Sequence, residues 1–395
     1  MRVLLFTGKG GVGKTTAAAG TAVMAARRGL KTLVLSTDSA HSLADALGVV
    51  SGPEPVEAAD GLFVQQVDTQ LRFQRAWGEV RDYLLTVLDS AGVDAVAAEE
   101  LTVLPGADEV LALLEVRDQV RSSRWDLVVV DCAPTAETLR LLALPESLGW
   151  LVQRVFPPER QVARSLRPVL GRVAGLPMPR DGVVDALARL SAELAEVRTV
   201  LTDPGTSIRL VLTPEAVVVA EARRTLTSLS LFGYRVDAVV ANRVFPSGGD
   251  ADAWREGWVA AQSRRLVEVE ESFAPIAVLR APYCDAEPVG ADALFALAEQ
   301  LYSGVDPFAE PAADTTVDVE RSGDEFVLTI ALPFAERDTM ELVRSGDELV
   351  LTVGPSRRVL ALPAALRRCT VAGAALRDGV LRIRFEPDPA LWMGL

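Results

Sequence analysis

Lysine is rare in this chain. Lys and Arg together number 40, and only Lys9, Lys14 and Lys31 are lysines. Two of the three fall within Gly8-Lys9-Gly10-Gly11-Val12-Gly13-Lys14-Thr15, which satisfies G-x-x-x-x-G-K-[ST]. Glycines at this density let backbone N–H groups curl inward onto phosphate oxygens. A compact ammonium at Lys14 suits a bridge between β- and γ-phosphates, where a planar guanidinium does not fit the cradle. The Thr15 hydroxyl is of the type that ligates Mg²⁺, and Thr16 completes the cofactor-binding stretch. Lys9, second in the loop, does not easily fold back onto the same phosphates. It can instead reach a nucleotide held by a second copy, as an arginine finger does.

Two carboxylates stand at strand ends. Asp131 closes the apolar run 126–131 (DLVVVD) and fits a Walker B residue holding Mg²⁺ directly or through water. Asp38 follows the run 31–36 (KTLVLS), where α/β sheets gather their ligands, and is placed to orient or deprotonate an attacking water. An ordinary helix N-cap is the competing role for Asp38 on spacing alone. His41 reads as a hydrogen-bonding residue outside the chemistry.

These residues need a frame that puts strand ends side by side. Short apolar runs at 2–6, 31–36, 62–67, 126–131, 207–213, 235–241 and 275–279 read as buried strands. Helical patterns lie at 16–28, 70–90, 107–122, 215–231, 252–271 and 289–301. Strands alternating with helices predict an α/β fold, a P-loop NTPase with a mostly parallel sheet. Residues 135–203 break the alternation and read as a helical insertion. Its last helix puts Val183, Leu187, Leu190, Leu194, Val197 and Leu201 on one face, for ordinary packing or for an interface or client groove. The expected ATPase domain spans 1–302, and 303–314, with two prolines and no periodicity, reads as a linker. Seven short runs between 315 and 386 follow, several parted by Gly-Asp or Asp-Gly turns. They predict a small all-β sandwich over 315–395.

Composition narrows the classes. The formal net charge of −14 disfavours broad binding to nucleic acid or anionic membranes. The longest uncharged stretch, 15–26, is too short to span a bilayer. No secretory signal is visible at the start, so a cytoplasmic protein is expected. A single histidine and three scattered cysteines (Cys132, Cys284, Cys369) argue against a disulfide framework and against structural zinc.

The extra lysine makes the loop resemble the deviant Walker A ATPases. GKGGVGKT (8–15), STDSAHSLADALG (36–48), DCAPTAETLRLLALP (131–145), TPE (213–215), VVANRVFP (239–246) and EPVGADALFALAEQLY (287–302) together resemble the arsenite-pump and tail-anchored-protein-targeting ATPases. That resemblance implies an ATPase working as a homodimer, with nucleotides near the subunit interface. It implies Lys9 as the intersubunit lysine, Asp38 as the switch I carboxylate and Asp131 as the start of switch II. Glu215 and Asn242 are implied to contact the nucleotide at its base end. Ser39, Cys132, Ala136 and Glu137 depart from the family's switch sequences, so coupling of hydrolysis to opening is expected to differ. FVLTIALPF (326–334), ELVLTV (348–353), RRVLALP (357–363) and Ala375-Leu376-Arg377-Asp378-Gly379-Val380-Leu381 resemble the α-crystallin domain of small heat-shock proteins. The fusion looks like the bacterial and plastid branch of the targeting family.

The expected function is an ATP-hydrolysing homodimeric carrier of hydrophobic, tail-anchored-like protein segments, using ATP and Mg²⁺. A hydrophobic client or a membrane-anchored receptor is the expected partner. The alternatives are a MinD- or ParA-like regulatory ATPase and an ATPase driving an anion or metalloid pump.

Overall fold

The structure, a computed structural model, describes residues 1–38, 42–67, 107–132, 181–247, 253–311, 317–323 and 325–391. An eight-stranded sheet carries the N-terminal part. Its strands are β1 (Arg2–Thr7), β2 (Thr32–Ser36), β3 (Val56–Ala59), β4 (Leu62–Gln66), β5 (Leu127–Asp131), β6 (Thr206–Leu212), β7 (Val236–Val244) and β8 (Ala277–Pro282). They lie in the order β3-β4-β2-β5-β1-β6-β7-β8. All pairings are parallel except that of β3 with β4. The parallel strands are those expected from the apolar runs; β3 is an additional, mostly exposed edge strand.

β1, β2, β5 and β6 are buried along their whole length, because helices cover both faces of the sheet. Alternation along each strand divides the core in two. Leu4, Phe6, Val34 and Val129 point into one half, and Val3, Leu5, Leu33, Val128 and Val130 into the other. On the first face lie α1 (Lys14–Arg27) and α2 (Ser42–Leu47). On the second lie α3 (Ala107–Arg121) and α4 (Asp181–Leu201), which pack on each other. Leu194, Val197 and Leu201 of α4 are buried against the sheet, so this half of its apolar face serves ordinary packing. The remaining expected apolar positions of that face, and residues 135–180 of the expected insertion, lie outside the described residues or side chains. The expected helix at 70–90 does so too.

After β6 come α5 (Ala216–Phe232), α6 (Ala253–Phe273) and α7 (Ala291–Leu301). α7 packs on α1, and Gly20 permits the approach: a Cβ there would stand 2.9 Å from the Leu294 carbonyl oxygen. The segment following α7 is held to the sheet layer. Phe308 packs against the first core, and Arg209 donates to the Pro307 carbonyl.

The C-terminal part is a sandwich of two antiparallel sheets. β9 (Val317–Ser322), β10 (Glu325–Ala331), β14 (Cys369–Arg377) and β15 (Val380–Pro387) form one, ordered β14-β15-β10-β9. β11 (Met340–Ser345), β12 (Glu348–Val353) and β13 (Ser356–Ala361) form the other, with α8 (Ala364–Arg367) before β14. Leu328, Ile330, Leu349, Leu351, Leu381, Ile383 and Phe385 fill the space between the sheets. Leu231 of α5 belongs to the same cluster. Thr227 donates to the Pro333 carbonyl at 2.6 Å, and Arg358 donates to the Leu231 carbonyl. The sandwich is thus seated on the end of α5.

Candidate functional site

β1 delivers the chain to the glycine-rich loop, and α1 starts from it. Two glycines are required by shape. At Gly8 (φ +153°) a Cβ would lie 2.1 Å from the Val211 carbonyl oxygen. At Gly13 (φ +92°), the left-handed residue from which α1 begins, it would lie 2.2 Å from Asn242 Nδ2. The loop is therefore wedged between the C-terminal ends of β6 and β7. Lys14 is buried, with Nζ 3.4 Å from the Lys9 carbonyl oxygen, so its ammonium faces the loop's own backbone.

Asp131 sits at the end of β5, beside both the loop and β2. Thr15 Oγ1 donates to its Oδ2 at 2.9 Å, and Ser36 Oγ donates to the same oxygen at 3.3 Å. Ser42 Oγ lies 3.2 Å from Thr15 Oγ1. Burial pushes the Asp131 carboxyl up to about 6, against the opposing pull of the Thr15 hydroxyl and the Lys14 charge. Its Oδ1 is buried and has no hydrogen-bond partner. An orphaned carboxylate oxygen beside a threonine hydroxyl is a hard-oxygen donor set, and it fits a small divalent cation that takes its other ligands from phosphate and water. Among the described residues no group of three or more His, Cys, Asp or Glu is gathered for a metal.

Asp38 lies just beyond β2. Its N–H donates to Ser36 Oγ at 3.2 Å, and Gln66 Nε2 donates to its carbonyl at 2.7 Å. Its negative charge contributes to raising the Asp131 carboxyl, which puts the two acids in one neighbourhood. Thr16 is half-buried on the first turn of α1. Ser39 and His41 lie outside the described residues, as do Ala136 and Glu137.

Asn242 is buried and holds the loop: its Nδ2 donates to the Val12 carbonyl at 2.8 Å, and its Oδ1 accepts from the Arg243 N–H. Glu215 precedes α5 and lines a cleft of about 500 Å³ beyond the ends of β6, β7 and β8. Phe245, Trp258 and Tyr283 line it too, with Phe245 and Tyr283 stacked at 5.3 Å. Nothing in the spacing singled out these rings, because they come from three separate segments.

Lys9 lies away from this pocket. Its half-exposed ammonium is 3.7 Å from Glu221 Oε2 on the second turn of α5. Glu221 escaped sequence reasoning; only the tertiary fold brings α5 over the loop. Cys132 is fully buried next to Asp131, and burial raises its thiol to about 12, so it stays protonated. Cys369 is buried in the sandwich and Cys284 is half-buried beyond β8.

Comparison with known proteins agrees with this geometry. Residues 1–303 match the profile of the anion-transporting ATPase family, and residues 312–385 match that of the HSP20-like domain found in ArsA. An uncharacterised protein of Streptomyces coelicolor is 45% identical over 392 residues, 99% of each chain. A putative arsenical pump-driving ATPase of Chlorobaculum tepidum is 34% identical, covering 98% of this chain and 96% of its own. The ATPase get3 of Neurospora crassa is 29% identical, covering 79% of this chain and 92% of its own. With a phosphate-type loop, a buried strand-end carboxylate and matches along almost the whole length, the chain belongs to the anion-transporting (ArsA) ATPase family and is an ATPase.

Proposed function

We propose that this ATPase is a homodimeric carrier of hydrophobic protein segments, switched between holding and release by ATP binding and hydrolysis. Helix α5 supports this reading most. Near its start Glu221 pairs with the extra loop lysine, and at its end Leu231 lies in the core of the HSP20-like sandwich. One rigid element thus touches both the nucleotide loop and a chaperone-type domain. The distant similarity to the ATPase get3 points the same way.

In this reading the backbone of Gly8, Gly10, Gly11, Val12 and Gly13, with Thr16, cradles the phosphates, and Lys14 neutralises them. Thr15 and Asp131 hold Mg²⁺, which supplies positive charge against the triphosphate. Asp38 orients the attacking water. Lys9 leaves Glu221 to reach the nucleotide of a second copy, and Glu215 lines the base end. Asn242 fixes the loop from that side. Residues 1–302 act as the ATPase unit, 303–314 as the connection and 315–395 as the sandwich unit. The working compartment is the cytoplasm; among the described residues no helix is long and apolar enough to cross a membrane.

Purified protein should turn over ATP and hold a transmembrane peptide in solution differently with and without nucleotide. Lys9→Ala should abolish hydrolysis yet keep much of the nucleotide binding, whereas Lys14→Ala should lose both. A Lys9→Ala protein that hydrolyses normally refutes the intersubunit role. Peptide capture that ignores nucleotide refutes the carrier. The second reading, driving an anion or metalloid pump, draws on the names of relatives such as that of Chlorobaculum tepidum. It predicts arsenite sensitivity when the gene is deleted.

A further inference from the structure

Register sets the ends of β2 and β4 side by side, with Ser36 against Gln66. By alternation Gln66 lies on the face that Leu62 and Val64 share with α1 and α2, the face of the phosphate loop. Its neighbour Gln65 points to the opposite face. Gln65 gives its amide hydrogens to the Pro53 carbonyl at 2.7 Å and to Glu115 of α3 at 2.9 Å. Gln66 makes one side-chain hydrogen bond among the described residues, from Nε2 to the Asp38 carbonyl at 2.7 Å.

Asp38 is thereby gripped at both ends of its own backbone. Its N–H donates to Ser36 Oγ at 3.2 Å, and its carbonyl accepts from Gln66. Holding both peptides that flank a residue fixes the direction in which its Cβ leaves the chain, so the carboxylate keeps only its side-chain torsions. The Ser36 hydroxyl in turn donates to Asp131 Oδ2, and the Thr37 N–H donates to the Asp131 carbonyl at 2.9 Å. The Asp38 backbone is therefore set relative to Asp131 on one side and by Gln66 on the other.

Gln66 is a poor choice for stability alone. It is buried, and its Oε1 has no hydrogen-bond partner. One bond to the carbonyl of a half-buried residue does not outweigh an unsatisfied buried acceptor. An apolar side chain of the same length would serve the fold as well. The donor is also neutral, which suits its place. The charge of Asp38 already bears on Asp131. An ammonium here would pair with those acids, and an ionised carboxylate could not donate to the carbonyl.

We infer that Gln66 is a positioning residue for hydrolysis: by fixing the backbone of Asp38 it aims that carboxylate at the attacking water. This rests on the water-orienting role proposed for Asp38. Gln66 acts through Asp38 alone, whereas nucleotide binding depends on the glycine-rich loop, Lys14 and Thr15. Losing the amide therefore slows the chemical step and spares binding.

The test uses the full chain with Mg²⁺. Gln66→Met keeps the length and removes the donor, and Gln66→Leu is a second apolar replacement. In both, single-turnover hydrolysis of ATP should fall at least about tenfold, since misplacing a reacting group by about 1 Å costs up to ~100-fold. Affinity for a non-hydrolysable ATP analogue, measured by calorimetry, should stay within about threefold of the parent. The melting temperature without nucleotide should move by less than about 3 °C. A merely structural glutamine would instead lower melting temperature, affinity and rate together. Asp38→Asn, run alongside, separates the two claims. Parent-like hydrolysis in Asp38→Asn removes the water-orienting role, and this inference with it. An inactive Asp38→Asn beside parent-like hydrolysis in both Gln66 variants overturns the inference alone. So does a loss of folding or of affinity that keeps step with the rate in both variants.

Discussion

Asp131→Asn tests whether the strand-end carboxylate is held in readiness for a cation. In the folded protein its carboxyl titrates near 6 instead of the ordinary 3.8, chiefly through burial. The native state therefore binds the proton more tightly than the unfolded chain does. Stability is unaffected by this group well below pH 3.8. It falls as pH rises through the window from 3.8 to 6, and is level above it. At about 1.4 kcal/mol per tenfold change in affinity, the charged carboxylate costs the metal-free fold about 3 kcal/mol at neutral pH. About 2 kcal/mol of that accrues between roughly pH 4.5 and 7.5. Asparagine cannot ionise, and its carbonyl can still accept from Thr15. Its amide nitrogen brings a cost where Oδ1 now has no partner, but that cost does not depend on pH. Urea denaturation in EDTA, without nucleotide, should show the stability difference between variant and parent moving by about 2 kcal/mol in the variant's favour from pH 4.5 to 7.5. The variant should also hydrolyse no ATP. A stability difference that is the same at both pH values would refute the reasoning.

Three further outcomes follow from the geometry. Gly13→Ala should abolish nucleotide binding, measured by calorimetry, because its methyl would sit 2.2 Å from Asn242 Nδ2 on a backbone at φ +92°; retained binding means the loop has another shape. Glu221→Gln should lower stability by less than about 1 kcal/mol in denaturant titration, since the pair with Lys9 is half-exposed. A loss above ~2 kcal/mol would make it a structural bridge instead. Leu231→Ala should cost about 2–5 kcal/mol and make the sandwich selectively sensitive to limited proteolysis, because this fully buried side chain belongs to the sandwich core; an unchanged digestion pattern argues against the seat on α5.

How much of this was legible in the sequence varied with how local each feature is. The parallel strands were legible because burial on both faces writes a continuous apolar run, as in LVVVD of β5. β3 was not: it is four residues long, exposed at the sheet edge and carries a glutamate, so it has neither a run nor an alternation. The phosphate loop was legible because its backbone geometry demands glycines at set spacing. The Phe245–Tyr283 stack was not, because its rings meet only after β7 and β8 pair. The amphipathic face of α4 was visible, but what its described half packs against came only with the fold.

α5 hid its most consequential property behind ordinary composition. Its end, TLTSLSLF, is apolar on several sides, as a helix wedged between layers must be. Leu226 joins the core on one face of the sheet, Leu229 and Phe232 that on the other, and Leu231 the sandwich. A helix gripped by three cores does not bend at little cost, because each core resists a change of even one methylene. A displacement imposed at Glu221 when Lys9 departs therefore moves the sandwich with it or does not occur. Breaking the grip at Leu231 should leave hydrolysis intact and make peptide capture indifferent to nucleotide. If capture in Leu231→Ala still follows nucleotide while the sandwich is loosened, the signal does not travel through α5.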